Sequence, residues 1–163
     1  MTKHKVVEKE KALKALAKEV GIPVFYSTHM YTPMDYKNWK SLNGIDKIMF
    51  DLPMFAQGTW GHEIHPELLT YDNRIVMNPH KGLSNFWSGD AAIQLRQYHV
   101  ETIILYGMSA NMCIESHARD AIENGLIDAL LPPSSVPVPI SVGEPVPAAE
   151  STSTSPSASR SVA

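Results

Sequence analysis

The chain has 163 residues, 44% of them hydrophobic and 19% charged, with a formal net charge of -3, the composition of one globular domain with no basic stripe for nucleic acid. A single cysteine rules out an internal disulfide and makes a cytoplasmic protein the expectation. Glu8, Glu10 and Lys11 interrupt any signal-peptide core, and no apolar run nears the roughly 20 residues that cross a bilayer, so no membrane partner is expected.

Val6, Leu13, Leu16, Ala17 and Val20 recur at three- and four-residue spacings among lysines and glutamates and are followed by Gly21, which predicts an amphipathic helix over 6–20. The apolar run IPVFYST then reads as a buried strand, and HMYTPMDYKNWKSLNG as a long loop rich in turn formers and aromatics. Residues 51–74 show glycine and proline punctuation with weak periodicity. RIVMN, 74–78, reads as a second strand, and a helix capped by Ser88 is expected to run through Gln97 with Ala92, Ile93 and Leu95 inward.

TIILY, 102–106, is continuous and apolar, as a parallel strand covered on both faces would be. The next helix, about 111–124, turns Ile114, Ala118, Ala121 and Ile122 to one side and ends at Gly125. Strands alternating with helices of this length predict an α/β fold with a central parallel sheet. Beyond Leu131 the composition changes: residues 132–163 hold seven of the twelve prolines, nine serines and three charged residues, which predicts a disordered tail behind a folded domain of residues 1–131.

The lone cysteine, Cys113, falls in the first turn of its helix, just past the C-terminal end of TIILY, where open parallel sheets place their ligand sites. A helix start favours a thiolate, and its unpaired N–H groups can hold an oxyanion. Burial as a small apolar residue is the plainer fate of a cysteine. The segment Asn78-Pro-His-Lys-Gly-Leu-Ser-Asn-Phe-Trp-Ser-Gly-Asp90 follows RIVMN and should emerge at the same sheet edge, which would carry Lys81 over the same crevice.

GTWGHEIHPEL (58–68), NPHKGLSNFWSGD (78–90) and GMSANMCIESHARDAIENG (107–125) resemble the isochorismatase-like cysteine hydrolases, a family that includes nicotinamidases and N-carbamoyl amidohydrolases. The resemblance covers roughly residues 6–128. It implies a three-layer α/β sandwich with a central parallel sheet and an Asp-Lys-Cys triad acting on an amide or related carbonyl. Matched by motif, the nucleophile is Cys113 and the lysine Lys81. The resemblance also implies a cis peptide between Met108 and Ser109 and an oxyanion hole built from the backbone N–H groups of Ser109 and Cys113. The family's aspartate ends a first strand that precedes the helix beginning here near Val6. Asp35, Asp46 and Asp51 follow IPVFYST, the second strand in the family's order, so none matches that motif. The sequence is accordingly expected to be shortened at its N-terminus and altered beyond about residue 128.

A metal is not expected: His62 and His65 are three apart and followed by Pro66, whereas a zinc-binding helix face needs histidines four apart. Ser27-Thr28-His29 also lacks the aspartate that nicotinamidases carry there for their metal. His29, Phe86 and Trp87 are candidates for pocket walls, with packing as the plainer role for each. His117 and Arg119 are expected on a solvated or interface-facing helix surface. Two readings follow: a cofactor-free hydrolase of a small amide or carbamoyl substrate, assembled as a homo-oligomer, or a catalytically dead fragment of the same family that lacks the triad aspartate and has an oligomerisation role or none.

Overall fold

The computed structural model describes residues 5–42, 44–69 and 74–130, the last four of these by backbone alone. The expected disordered tail, 132–163, lies outside the described residues.

Helix α1 (Val6–Glu19) runs into strand β1 (Val24–Tyr26), and a long loop leads to α2 (Gly44–Asp51). Two short 3-10 turns, Trp60–His62 and Pro66–Leu68, precede β2 (Arg74–Val76). Then come α3 (Asn85–Ser88), α4 (Ala91–Gln97), β3 (Thr102–Leu105), α5 (Glu115–Glu123) and β4 (Ile127–Leu130). The alternation produces the expected α/β class, and every strand pairing among the described residues is parallel. Among the described residues the strands form two pairs, β1 beside β2 and β3 beside β4, rather than one continuous ladder. One core serves both: Met77, Ala91 and Leu95 are packed by Phe25 of β1, Ile103 of β3, and Phe86, Val100 and Leu126.

α1 and α5 end in the same way. After α1, Gly21 takes φ 75° while Gly21 N–H donates to Lys18 O and Ile22 N–H to Ala17 O; after α5, Gly125 takes φ 79° while Gly125 N–H donates to Ile122 O and Leu126 N–H to Ala121 O. Both are Schellman closures, in which a left-handed residue lets the last carbonyls find donors.

Three expectations change. On α1 the buried positions are Val6 and Lys14, while Leu16 and Val20 are 53% and 58% exposed. The Lys14 ammonium is drawn inward by the Leu68 carbonyl and by Tyr26 Oη at 2.5 Å, over whose ring it also sits at 4.3 Å. The single helix expected from Ser88 is two, because Gly89 and Asp90 break it; Ala91 and Leu95 are buried and Ile93 is exposed. α2 was not evident in the loop reading, since its eight residues, GIDKIMFD, bury only Met49.

Candidate active site

The segment that follows β2 continues beside the one that follows β1. Met77 N–H donates to Tyr26 O, His80 N–H to Thr28 O, and Met30 N–H to His80 O, so His29 and His80 lie side by side. This places Lys81 at the C-terminal end of the pair. The Ser88 hydroxyl pins its backbone, accepting from Lys81 N–H at 2.8 Å and donating to Lys81 O at 2.6 Å. Ser88 therefore secures the lysine loop rather than capping a helix. The α3 cap is Ser84, which accepts from Phe86 N–H.

Asn85, at 0% exposure, holds the rest of this segment. Its amide donates to Asn78 O and accepts from Ala91 N–H, both at 2.8 Å. A Cβ on Gly89 would stand 2.3 Å from Asn85 Oδ1, which explains a glycine at the break between α3 and α4.

Lys81 Nζ lies 3.4 Å from Asp35 Oδ2. The same oxygen accepts from the N–H and hydroxyl of Thr32, at 2.7 and 2.9 Å. Burial pushes the Asp35 carboxyl up, but the two Thr32 donors and the Lys81 charge outweigh it and hold the group below its ordinary value. Asp35 was not assigned from sequence. The Thr32-Pro-Met-Asp35 spacing of a turn closed by its own side chain was the available signal.

Cys113 sits in one turn of π-helix, Ala110–Ile114, between β3 and α5. Ser109 O accepts from Met112 N–H and Ile114 N–H, the second bond being the wide one that defines this turn. Such turns recur at functional sites. The Met108–Ser109 peptide just ahead is cis. The thiol is half-buried. Burial pushes it up from its ordinary value, and the N–H groups of Ser109 and Cys113 draw it partly back. Burial outweighs these backbone groups, so the resting group is a protonated thiol rather than a helix-stabilised thiolate. The described partner of the Lys81 ammonium is Asp35, not the thiol.

The two segments meet through His117. It is 8% exposed, which corrects the expectation of a solvated helix face; Arg119 is on the surface, paired with Glu115 at 2.6 Å. His117 Nδ1 is 2.6 Å from Cys113 O, and its Nε2 is 3.0 Å from Asn85 N and 3.3 Å from Ser27 Oγ. His80 lies against it with ring centroids 5.2 Å apart, and His29 against His80 at 4.1 Å. Burial lowers all three rings below the ordinary histidine value, His80 to about 3, where His29 and His117 add to the effect.

Of the candidate pocket walls, His29 is buried between Tyr31, Phe55 and His80 and donates from Nε2 to Gly82 O. Phe86 packs on the core and faces His117 at 6.3 Å. Trp87 is 67% exposed and, with Leu83, Ser84, Ser116, Arg119 and Asp120, lines a shallow cavity of about 250 Å³. Neither Cys113 nor Lys81 is among its walls, so this cavity adjoins the thiol site without containing it. No group of three or more metal-binding side chains, and no helix long and apolar enough to cross a membrane, occurs among the described residues.

Parallel strand pairs and covering helices define an α/β domain, with a thiol at the helix entry after a strand. The chain belongs to the isochorismatase domain family, whose pattern matches residues 1–130. It is 27% identical over 118 residues to a ureidoacrylate amidohydrolase of Pseudomonas syringae pv. syringae, covering 65% of this chain and 47% of that protein. It thus spans about half the length of the curated relatives it matches. The fold is similar to that of N-carbamoylsarcosine amidase from Thermoplasma acidophilum (TM-score 0.66, 20% identity, 82% of this chain and 71% of that one). It is also similar to nicotinamidase from Bacillus subtilis (TM-score 0.61, 18% identity, 79% and 70%).

Proposed function

We propose that the protein is a hydrolase of small amide or carbamoyl C–N bonds that works through a thioester on Cys113. The observation that carries this reading is the Cys113 turn: a half-buried thiol just past β3, in a π-helical turn where the Ser109 and Cys113 backbone favours its charged form. Sγ attacks the carbonyl carbon, and the oxygen gathers negative charge against the N–H groups of Ser109 and Cys113. The thiol proton passes to the leaving nitrogen, the amine departs, and water cleaves the thioester to release the acid and restore the thiol. Lys81 favours the charged forms of the sulfur and the tetrahedral intermediate. A ureido or carbamoyl substrate fits best, since relatives named for ureidoacrylate recur and one structural neighbour is named for N-carbamoylsarcosine. The reading includes a homo-oligomer, supported by the exposed Leu16 of α1 and Val20 just after it, and a reducing compartment, supported by the unpaired thiol. Sedimentation velocity checks the first.

The test is Cys113→Ser assayed for ammonia release from ureidoacrylate, N-carbamoylsarcosine and nicotinamide, with mass spectrometry for an acyl adduct on the wild type. Loss of about 10³-fold or more, with an adduct confined to Cys113, is expected. Equal hydrolysis by both proteins would overturn the reading.

A second reading, a non-enzymatic family member, is favoured by the raised Cys113 thiol and by the engagement of Lys81 with Asp35. It expects no hydrolysis of any of the three amides, and Cys113 alkylated by iodoacetamide no faster than free cysteine at pH 7.

A further inference from the structure

The geometry points to His117, held neutral as the Nδ1–H tautomer, as the positioning residue that locks the Cys113 turn to the Lys81 segment. The partners decide the tautomer. Cys113 O can only accept, so Nδ1 at 2.6 Å from it carries the hydrogen. The Asn85 backbone N–H can only donate, so Nε2 at 3.0 Å from it is the bare, accepting nitrogen, which the Ser27 hydroxyl at 3.3 Å also serves. One ring thus ties the carbonyl of the candidate nucleophile to α3, the helix that follows Lys81, and to the end of β1. The ring itself is buried, and so is Asn85.

A second proton on this ring would set Nε2–H against Asn85 N–H, two donors face to face in a buried place. The bond from Asn85 N–H would break while the bond to Cys113 O survived. The charged and titratable groups facing the ring are few. His80 stands 5.2 Å away with His29 behind it, Asp120 lies further along α5 and favours the charged ring, and the Leu83 backbone favours it as well. Burial outweighs these and keeps His117 below its ordinary value. The tether is therefore intact at neutral pH and released by acid. Its mechanistic use rests on the Cys113 reading above, since a tether of this kind matters where a displacement of an ångström costs rate.

Gln and Asn divide the two functions of the ring, because the Gln amide reaches about as far as Nε2 and the Asn amide about as far as Nδ1. H117Q can accept from Asn85 N–H; H117N can donate to Cys113 O but cannot reach Asn85. Hydrogen exchange in the full chain should show the Asn85 amide protected in the wild type and in H117Q, and at least about tenfold less protected in H117N. Lowering the pH should release that amide in the wild type as His117 titrates and leave H117Q unaffected, a difference that packing alone would not produce. Nitrogen NMR of the wild-type imidazole should report the Nδ1–H tautomer at pH 7. An Nε2–H tautomer or a cation at that pH, equal Asn85 protection in H117N and H117Q, or the same acid release in H117Q as in the wild type would each overturn the proposal. None of these readouts needs hydrolysis, so failure of the Cys113→Ser test and failure of this one are separate results.

Discussion

The two arms of the candidate site are built on different principles. The Lys81 arm is held by side chains: Ser88 on the Lys81 backbone, Asn85 on Asn78 and Ala91, Asp90 on the Asn78 N–H at 2.7 Å, Asp35 on the ammonium. The Cys113 arm is held by its own backbone, through the doubly accepting Ser109 carbonyl, and by one side chain, His117. The difference teaches that the lysine can be moved by many single substitutions, whereas the thiol can be moved only by those that disturb the turn or its histidine.

Asn85→Ala tests the first half of that statement with the largest expected effect on stability. It leaves the Ala91 N–H unpaired at a fully buried place and the Asn78 carbonyl unpaired at a part-buried one. Two such groups cost about 3 kcal/mol together. Urea denaturation should show that loss; a change below about 1 kcal/mol would mean that water or a neighbouring side chain replaces the amide, and that the arm does not depend on it.

Gly89→Ala attacks the same amide from outside. The new Cβ would stand 2.3 Å from Asn85 Oδ1, and a buried side chain with two bonds to keep has little room to yield. A loss of about 2 kcal/mol is expected, typical of overpacking. The Cys113 turn should be unaffected, so the exchange rates of the 109–114 amides check the comparison directly.

Acid strikes where the arms join. Buried His29, His80 and His117 have folded-state values below the ordinary one, so the unfolded chain binds more protons as the pH falls. Their contribution is fully present above the unfolded value of about 6.5 and is lost below it, for His80 progressively down to about 3. Each depressed histidine adds a slope of up to about 1.4 kcal/mol per pH unit within its window. Denaturation midpoints measured from pH 7.5 to 4.5 should hold above about 6.5 and fall continuously below it. A flat profile would show that the rings are solvated.

How much of this was legible in the sequence follows the same division. The Asn78–Asp90 segment reads as a loop of polar, small and turn-forming residues, and those residues do hold it, so Lys81 could be placed at the end of the second strand. The glycines that close α1 and α5 were legible too, because a left-handed residue after a helix leaves a local mark. His117 was not. On the α5 sequence it is one polar residue between Ser116 and Ala118, and only the crossing of α5 over α3 makes it buried and gives Nε2 a use, while Nδ1 bonds the Cys113 carbonyl one turn back. Lys14 was missed for the same reason: its partners, Tyr26 and Leu68, are distant in sequence, and periodicity counts a lysine as surface. Asp35 joined Lys81 through a turn whose direction no periodicity encodes.

Asp35→Asn has the smallest expected effect on the fold and discriminates most finely between the arms. The amide still offers Thr32 an oxygen, and only the charge facing Lys81 is removed. The pair is partly exposed, 22% on the Asp35 side chain and 29% on that of Lys81, so the stability change should stay below about 1 kcal/mol. The consequence lies on the other arm. With its carboxylate gone, the Lys81 ammonium is free to turn toward the thiol, and a cation near sulfur favours the thiolate. Cys113 in Asp35→Asn should therefore react with iodoacetamide at a lower pH than in the wild type, while Lys81→Met shows no such gain. If the two variants and the wild type share one alkylation profile, Lys81 does not act on the thiol, and the two arms serve separate ends.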